Sequence, residues 1–250
     1  MGSWVLLTGA SAGIGRELAK VFAREGHNLI LVARDEARLK ALAEELRASY
    51  HIEAVVLPKD LSQPNAASEI YAAMRERDIG VLVNNAGFGA HGSFAALSLA
   101  TQMAMMQVNM NALVELSYLF VQPMLARGGG RILNVASTAA FQPGPTVNVY
   151  YASKAFVYSF SYALAEELAQ TGVTVTTLCP GMTRTEFFER ANIRMRGWAA
   201  MDAHRVAELG YRGLMKGRRV VIPGLMNKVA SFFAKRMPPR LTSAVVKRIH

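Results

Sequence analysis

The sequence predicts an α/β domain with about seven parallel strands and helices on both faces of the sheet. Short apolar, β-branched runs alternate with longer helical patterns along the chain, and such alternation is typical of parallel sheets. The 250 residues, 52% of them hydrophobic, are enough for one large domain with a deep core. No repeat or Pro/Gly-rich linker precedes residue 223, so we predict one domain over 1–223 and a C-terminal extension over 224–250.

The first strand is predicted to end in a glycine-rich turn, TGASAGIG, from Thr8 to Gly15. Glycines let the backbone approach a pyrophosphate, and free N–H groups at the start of the next helix meet its charge. The same turn can join a strand to a helix without a ligand, so the glycines alone leave both interpretations open.

The strands are predicted at Trp4–Leu7, Leu29–Val32, Ala54–Leu57, Val81–Val83, Ile132–Val135, Val173–Leu178 and Val220–Ile222. The helices are predicted at segments such as Ile14–Glu25, Glu36–Ser49, Ser68–Arg77, Ala100–Leu125 and Ser153–Thr171.

Two tyrosines precede a lysine in the stretch YYASK, at 150–154. Tyr150 lies four residues before Lys154 and Tyr151 lies three, so each tyrosine shares a helix face with the lysine. A tyrosine has a reference pKa of about 10, which a neighbouring ammonium lowers. Either tyrosine could therefore be an acid tuned by that lysine. Helical spacing alone does not choose between them.

Five motifs, taken together, resemble those of the short-chain dehydrogenase/reductase family. They are the Gly-x-x-x-Gly-x-Gly turn, NNAG at 84–87, the strand-end Ser137, YYASK, and PGMTRT at 180–185. The resemblance extends from about residue 3 to about residue 223. It implies a Rossmann-like doubly wound sheet, a nicotinamide dinucleotide cofactor and an oxidoreductase that interconverts a carbonyl and an alcohol. We also expect a homodimer or homotetramer.

The resemblance also implies the catalytic residues. The family pattern Tyr-x-x-x-Lys selects Tyr150 as the acid, and the family serine, thirteen positions earlier, falls on Ser137. Ser137 would hold the substrate oxygen and stabilise developing negative charge. Lys154 would tune the tyrosine and bind the nicotinamide ribose. Asn109 matches the asparagine that steadies a water relay, and Asn111 is the competing assignment, which the Val-Asn order disfavours.

The expected cofactor is NADP(H) rather than NAD(H). Where NAD-dependent members of the family carry an acidic residue, this chain has Ala33 followed by Arg34, and an arginine suits a 2′-phosphate. Arg34 could instead be solvated, and Asp35 could contact a 2′-hydroxyl or cap the next helix. The predicted cofactor-binding residues are Gly9, Ser11, Gly13, Ile14, Gly15, Arg34, Asp60, Leu61, Asn84, Ala86, Gly87, Tyr150, Lys154, Pro180, Gly181, Thr183 and Thr185.

The expected substrate is a small apolar carbonyl or alcohol. Three segments, 88–94, 138–149 and 182–201, should frame it, with little formal charge near the tyrosine. Their aromatic residues are Phe88, Phe94, Phe141, Phe187, Phe188 and Trp198. The alternative is a catalytically idle protein that senses NADP(H) or acts as a scaffold, although a pure binder has no need of all four catalytic residues. A nucleotide-sugar epimerase would carry a different glycine spacing and a larger C-terminal domain.

Cysteine content is compatible with a reducing environment, and hydropathy disfavours an integral membrane protein. Cys179 is the single cysteine and has no nearby cysteine or histidine in the sequence, so neither a disulfide framework nor a metal site is predicted. The cytoplasm is the expected location. No apolar run reaches the roughly 18 residues that cross a bilayer.

The net charge of +10 comes from the C-terminal part, where ten basic and no acidic residues lie in 209–250. Apolar side chains repeat there at helical spacing. They are Leu225, Val229, Phe232 and Phe233, then, after Pro238–Pro239, Leu241, Val245, Val246 and Ile249. Such helices could pack on the body, on a partner subunit or over the substrate pocket. They could also be a peripheral anchor on an anionic membrane surface. The balanced charge of the remaining chain disfavours nucleic acid.

Overall fold

A seven-stranded parallel sheet, in the order β3-β2-β1-β4-β5-β6-β7, organises the protein. We describe a computed structural model, which covers residues 4–191 and 200–249. Its strands are β1 (Trp4–Thr8), β2 (Asn28–Ala33), β3 (Ala54–Pro58), β4 (Ile79–Asn84), β5 (Gly130–Val135), β6 (Val173–Leu178) and β7 (Val220–Val221). The predicted fold class is confirmed.

Helices cover both faces of the sheet. They are α1 (Gly13–Arg24), α2 (Glu36–Tyr50), α3 (Ala66–Met74), α4 (Leu99–Met106), α5 (Ala112–Ala126), α6 (Asn148–Glu167), α7 (Phe187–Arg190), α8 (Ala203–Met215), α9 (Leu225–Ala234) and α10 (Pro239–Ile249). Because successive strand residues point to opposite faces, Val5 and Leu7 pack with α1, α2 and α8, whereas Leu6 packs with α3 and α5. The strands are therefore buried on both faces, as their apolar runs predict.

The chain changes direction across the sheet between β1 and β4. From β1 the strands run one way to β2 and β3, and from β4 they run the other way to β7. Ligands of open α/β sheets bind at such a switch point, beside the carboxyl ends of the strands. The glycine turn follows β1 and the NNAG motif follows β4, so this crevice is where both motifs meet.

One predicted helix is interrupted. Instead of a continuous helix over Ala100–Leu125, the structure has α4, a π-helical turn at Gln107–Asn111, and α5. A π-helical turn inserts an extra residue into the hydrogen-bond ladder and often occurs at functional sites. Here the turn contains Asn109, which is buried, while Asn111 is exposed and donates to Gln107 Oε1 at 2.9 Å.

Helices α9 and α10 lie at the carboxyl edge of the sheet, beyond β7. Lys235, which directly follows α9, donates to the Tyr158 hydroxyl at 3.2 Å, and its ammonium lies 4.2 Å from the ring centre of Phe141. These contacts fasten the C-terminal helices to α6 and to a 3-10 turn at Thr138–Phe141. The domain boundary at residue 223 stays a prediction.

Candidate active site

A cavity of about 1090 Å³ opens at the carboxyl ends of the strands. It extends from Arg34 and Asp60 at one end, past the glycine turn, to Tyr150 and Lys154, and on to the C-terminal helices. Residues that follow six different strands therefore share a single continuous space, as the geometry of a parallel sheet requires.

The glycine turn is shaped for close approach by a ligand. Gly9 and Gly13 have φ angles of +68° and +54°, a region that side chains with a β carbon rarely adopt. A β carbon at Gly15 would lie 2.1 Å from the carbonyl oxygen of Gly9. Helix α1 begins here without a side-chain cap and without an acidic residue in its first turn. Its first N–H groups therefore remain available to a phosphate.

Two residues that sequence reasoning missed hold the turn against β4. The Thr8 hydroxyl accepts the backbone N–H groups of Asn85 and Ala86, each at 3.0 Å, and donates to Val83 O at 3.2 Å. The Asn85 amide in turn donates to the carbonyl oxygens of Thr8 at 3.0 Å and Gly9 at 3.2 Å. The signal was available, since both residues lie inside the motifs TGASAGIG and NNAG.

The first asparagine of NNAG lies below the cavity. Asn84 is 3% exposed, and its amide donates to Asn134 Oδ1 at 2.9 Å and Ser117 Oγ at 3.0 Å. Asn134 continues this buried network by donating to Ser161 Oγ at 2.8 Å. Asn85, Ala86 and Gly87 line the cavity, and Asn84 is not among its lining residues.

At the far end of the cavity, Arg34 is exposed on the rim. The next residue, Asp35, is the N-cap of α2 and accepts the Arg38 N–H at 3.0 Å. Asp60 accepts the Ser62 N–H at 3.0 Å, and Leu61 is buried beside it. Of the two alternatives for Asp35, the geometry fits the helix cap.

The PGMTRT segment forms the opposite wall. The carbonyl oxygen of Pro180 accepts from Thr138 N at 2.9 Å and from the Ser137 hydroxyl at 3.4 Å. Thr183 donates to Gly181 O at 3.0 Å. A β carbon at Gly13 would lie 3.0 Å from the methyl carbon of Thr185. The glycine turn and Thr185 therefore face each other across the cavity at close range.

Tyr150 and Ser137 are neighbours at the cavity floor. Burial raises the pKa of Tyr150 to about 12, and the hydrogen bond with the Ser137 side chain partly opposes that rise. Its ring centre lies 5.3 Å from that of Phe187. The expected lowering of the tyrosine pKa by the lysine is not what this structure gives, because burial is the largest effect on the phenol.

Tyr151 has different surroundings. Its ring packs against Gly144, where a β carbon would lie 2.3 Å from the ring. Burial raises its pKa, as does the Tyr150 charge, while a hydrogen bond with Gln142 lowers it. Tyr151 thus packs on the loop before α6, and Tyr150 is the tyrosine that lies beside the strand-end serine.

Lys154 and Asn109 meet beneath Gly87. The Lys154 ammonium donates to Val135 O at 2.9 Å and lies 5.9 Å from the Tyr150 ring centre. Burial lowers its pKa to about 8. The Asn109 amide donates to Phe88 O and to Ser153 Oγ, each at 3.0 Å. A β carbon at Gly87 would lie 3.1 Å from Asn109 Oδ1 and 3.2 Å from the Lys154 nitrogen.

Apolar side chains surround the end of the cavity near Tyr150. Phe88 and Phe187 line it, together with Phe233, Met237 and Val245 of the C-terminal helices. Two of the expected aromatic residues point elsewhere: Phe94 is exposed, and Phe141 packs under Lys235. The side chain of Phe188 and all of Trp198 lie outside the described residues.

The described residues contain no cluster of three or more side chains suited to a metal ion. Cys179 is fully buried, and burial raises the pKa of its thiol to about 12. At neutral pH it is therefore an unreactive thiol packed behind the site. Within the same described ranges, no helix is both long and apolar enough to cross a membrane.

Comparison with known proteins identifies the family. Residues 3–195 match the family described as short chain dehydrogenase. Sulfoacetaldehyde reductase 2 of Chromohalobacter salexigens is 39% identical over 191 residues, which cover 75% of this chain and 75% of that protein. The 17-beta-hydroxysteroid dehydrogenase type 3 of Mus musculus is 33% identical over 200 residues, which cover 78% of this chain and 65% of that protein.

A solved structure extends the similarity almost to the whole chain. A short-chain dehydrogenase from Sphingobium yanoikuyae, in complex with NADPH, aligns with a TM-score of 0.87 and 34% identity. The alignment covers 94% of this chain and 93% of that one. The chain therefore belongs to the short-chain dehydrogenase/reductase family of oxidoreductases, as its five motifs predict.

Proposed function

We propose that this protein is an NADP(H)-dependent oxidoreductase that interconverts a carbonyl and an alcohol on an apolar substrate, with Tyr150 as the acid and base. The observation that carries the proposal is that Tyr150 and Ser137 lie beside each other at the floor of the cavity, with the Lys154 ammonium 5.9 Å from the Tyr150 ring centre. A scaffold protein has no need of a phenol, a hydroxyl and a buried ammonium that line one cavity.

The residues along the cavity fit NADP(H). The uncapped start of α1, at Gly13 to Gly15, would hold the pyrophosphate, because these residues line the cavity and the first turn of the helix has no acidic side chain. Arg34 on the rim would pair with the 2′-phosphate, and Asp60 and Leu61 would flank the adenine. The NADPH held by the Sphingobium yanoikuyae relative supports this choice of cofactor.

At the other end, Lys154 would bind the nicotinamide ribose and Thr185 the carboxamide. The nicotinamide ring would be bounded by Ala86, Gly87, Pro180, Gly181 and Thr183. In the glycine turn, Ser11 and Ile14 would also contact the cofactor. Asn84 would act indirectly, by fixing the strand end below Asn85. When bound, the nicotinamide supplies the hydride in reduction and accepts it in oxidation.

In the reductive direction, Tyr150 donates its phenolic proton to the substrate oxygen. Burial raises the pKa of Tyr150 to about 12, which keeps the phenol protonated and ready to donate at neutral pH. Ser137 holds the same oxygen and stabilises its developing charge. Burial lowers the pKa of Lys154 to about 8, close enough to neutrality for it to pass a proton on toward Tyr150. Asn109 lies within reach of that path.

The walls near Tyr150 favour an apolar substrate. Among the described lining residues, Lys154 is the one basic side chain at this end, and it lies at the floor. A small acid such as a sulfonate would require a further cation there. The name of the mouse relative, a hydroxysteroid dehydrogenase, is consistent with a large apolar ketone or alcohol. The cytoplasm remains the location that we propose, since Cys179 is a free thiol.

The experiment is a screen of NADPH oxidation over diverse ketones and aldehydes, with Tyr150→Phe and Tyr151→Phe as paired variants. We expect Tyr150→Phe to lower kcat by at least about a hundredfold, because general acid catalysis contributes roughly that much, and to bind NADPH normally. Tyr151→Phe, the matched control, should keep most of the activity.

Loss of activity in Tyr151→Phe alone would reverse the assignment. Wild-type protein that binds NADPH but reduces none of the carbonyls would instead favour the catalytically idle alternative.

A further inference from the structure

Helix α9 has its apolar face turned toward solvent. Leu225, Val229 and Phe232 are spaced four and three residues apart, on one side of the helix, and Leu225 and Phe232 are 75% and 51% exposed. The opposite side, with Asn227, Ser231 and Ala234, faces the protein and lines the cavity. A surface helix normally does the reverse and buries its apolar stripe.

Polar contacts fix α9 in this orientation. The Asn227 amide donates to Met201 Sδ at 3.6 Å, and a β carbon on Gly181 would lie 2.4 Å from Asn227 Oδ1. At the other end of the helix, Lys235 is bound to Tyr158 and Phe141. The polar side of the helix therefore contacts the rest of the protein near both ends, and the apolar side faces solvent.

Helix α10 continues the same surface. Leu241 and Val245 are exposed, whereas Thr242 and Val246, one position further along, are buried. Leu225, Met226, Val229, Phe232, Phe233, Met237, Leu241 and Val245 together form what we term the C-terminal apolar surface. So large an apolar surface in a monomer indicates a binding partner.

The charge around this surface selects the kind of partner. Residues 225–249 contain six basic and no acidic side chains. Lys235 is committed to Tyr158, and the others are Lys228, Arg236, Arg240, Lys247 and Arg248. An apolar face flanked by cations fits the interface of an anionic bilayer, where the apolar side chains insert and the cations meet the headgroups. A second copy would bring the same positive charges face to face.

We propose that α9 and α10 dock on an anionic lipid surface and that an apolar substrate reaches the cavity from the bilayer through this pair of helices. The second half of this inference rests on the proposed oxidoreductase function. It follows from position, since Phe233, Met237 and Val245 belong to the C-terminal apolar surface and also line the cavity. Lipid at that surface would thus lie directly outside the substrate end.

The test is co-sedimentation of the full chain with vesicles of equal parts phosphatidylcholine and phosphatidylserine, and with vesicles of phosphatidylcholine alone. Binding should be at least about tenfold stronger to the anionic vesicles and should weaken at high salt. Leu225→Ser/Phe232→Ser removes apolar area, and Lys228→Glu/Arg240→Glu reverses charge. Each should lower binding at least about tenfold. Lys40→Glu/Arg75→Glu, on α2 and after α3, reverses two exposed charges away from this surface; it is the matched control and should bind like wild type.

These outcomes are separable from those of the proposed function, because vesicle binding requires no turnover. None of the substituted residues lines the cavity, so all variants should reduce a water-soluble ketone at the wild-type rate without lipid. With a bilayer-dissolved ketone, only the two C-terminal variants should lose rate. Equal binding to both vesicles, no binding, or variants that bind like wild type would refute the docking proposal. Dimerisation through Phe232 in lipid-free solution would refute it in favour of a second copy.

Discussion

At the scale of single residues, the two adjacent tyrosines differ in what they contact. Tyr150 lines the cavity beside Ser137, whereas Tyr151 packs its ring on Gly144. Their positions along the helix are equally compatible with Lys154, so spacing on the helix could not separate them. The family pattern could, because the resemblance implies a serine thirteen positions before the tyrosine, which is Ser137 for Tyr150.

Arg34 should decide the choice between the two cofactors. A charge-assisted contact with the 2′-phosphate is worth roughly 1.5–3 kcal/mol, so Arg34→Ala should weaken NADPH binding by about tenfold to a hundredfold and leave NADH binding nearly unchanged. Isothermal titration of both cofactors into wild type and variant measures this. Arg75→Ala, an exposed arginine at the end of α3, is the control. An unchanged ratio of the two affinities in Arg34→Ala would contradict the assignment.

Lys154 should reduce the stability of the protein at neutral pH. Burial lowers its pKa from 10.5 to about 8, so the folded state disfavours the ammonium. Below about pH 8 both states are protonated and the cost is fully present. Between about pH 8 and 10.5 the unfolded chain keeps the proton that the folded protein releases, so the free energy of unfolding rises with pH.

We therefore expect Lys154→Met to be inactive yet more stable than wild type at pH 7, by roughly 1–4 kcal/mol. The difference should shrink toward pH 10. Urea denaturation of both proteins at several pH values measures it. Lys40→Met removes an exposed lysine and should show no such dependence. A wild type that is the more stable at pH 7, or a difference independent of pH, would contradict the prediction.

At the scale of elements, apolar patterns predicted the strands well and the long helix before β5 only in part. The segment 100–125 is apolar enough to read as one helix, but the structure places a π-helical turn at Gln107–Asn111. The turn puts Asn109 where it bonds both backbone groups of Phe88. That bonding joins distant parts of the chain, so a local pattern could not indicate it.

The motif NNAG illustrates the same limit on a smaller scale. The resemblance implied that Asn84 contacts the cofactor, but the motif contains two asparagines, Asn84 and Asn85. Since side chains alternate at a strand end, Asn84 lies in a buried network with Asn134 and Asn85 lies against the glycine turn. Which of the two faces the cavity depends on the register of β4 beside β1.

For the C-terminal helices, the amphipathic pattern predicts that helices form but not how they are oriented on the protein. Their spacing predicted helices with apolar faces, and both helices are present. A pattern does not indicate which face packs on the body. In α9 the contacts of Asn227 and Lys235 determine that, and they turn Leu225 and Phe232 outward.

At the scale of the whole molecule, the sheet order brings the site together. Gly9, Ala86, Ser137 and Pro180 follow β1, β4, β5 and β6, which are neighbours in the sheet. The sequence could predict this gathering because parallel strands all end at one edge. It left open whether α9 and α10 pack over the substrate pocket, on the body or on a partner subunit, because no motif extends past residue 223; in the structure both helices line the cavity.

A second exposed apolar surface, away from the C-terminal helices, suits the subunit interface of the expected homodimer or homotetramer. On α4, α5 and α6 the large apolar side chains Leu99, Met103, Tyr118, Phe156 and Tyr162 are exposed. Helix α4 packs against α6, so these side chains lie on one side of the sheet. Few basic side chains accompany them, which suits a second copy of the same surface.

We expect wild-type protein without lipid to sediment as an oligomer, and Met103→Asp/Tyr118→Asp to shift it to the monomer by placing carboxylates opposite each other in an apolar interface. Sedimentation velocity over a range of concentrations measures the shift. Leu241→Asp is the matched control, because Leu241 and Met103 are both 54% exposed, and it should leave the oligomer intact. If Leu241→Asp dissociates the oligomer while the pair on α4 and α5 does not, the C-terminal apolar surface is the subunit interface and the helices α4 to α6 are not.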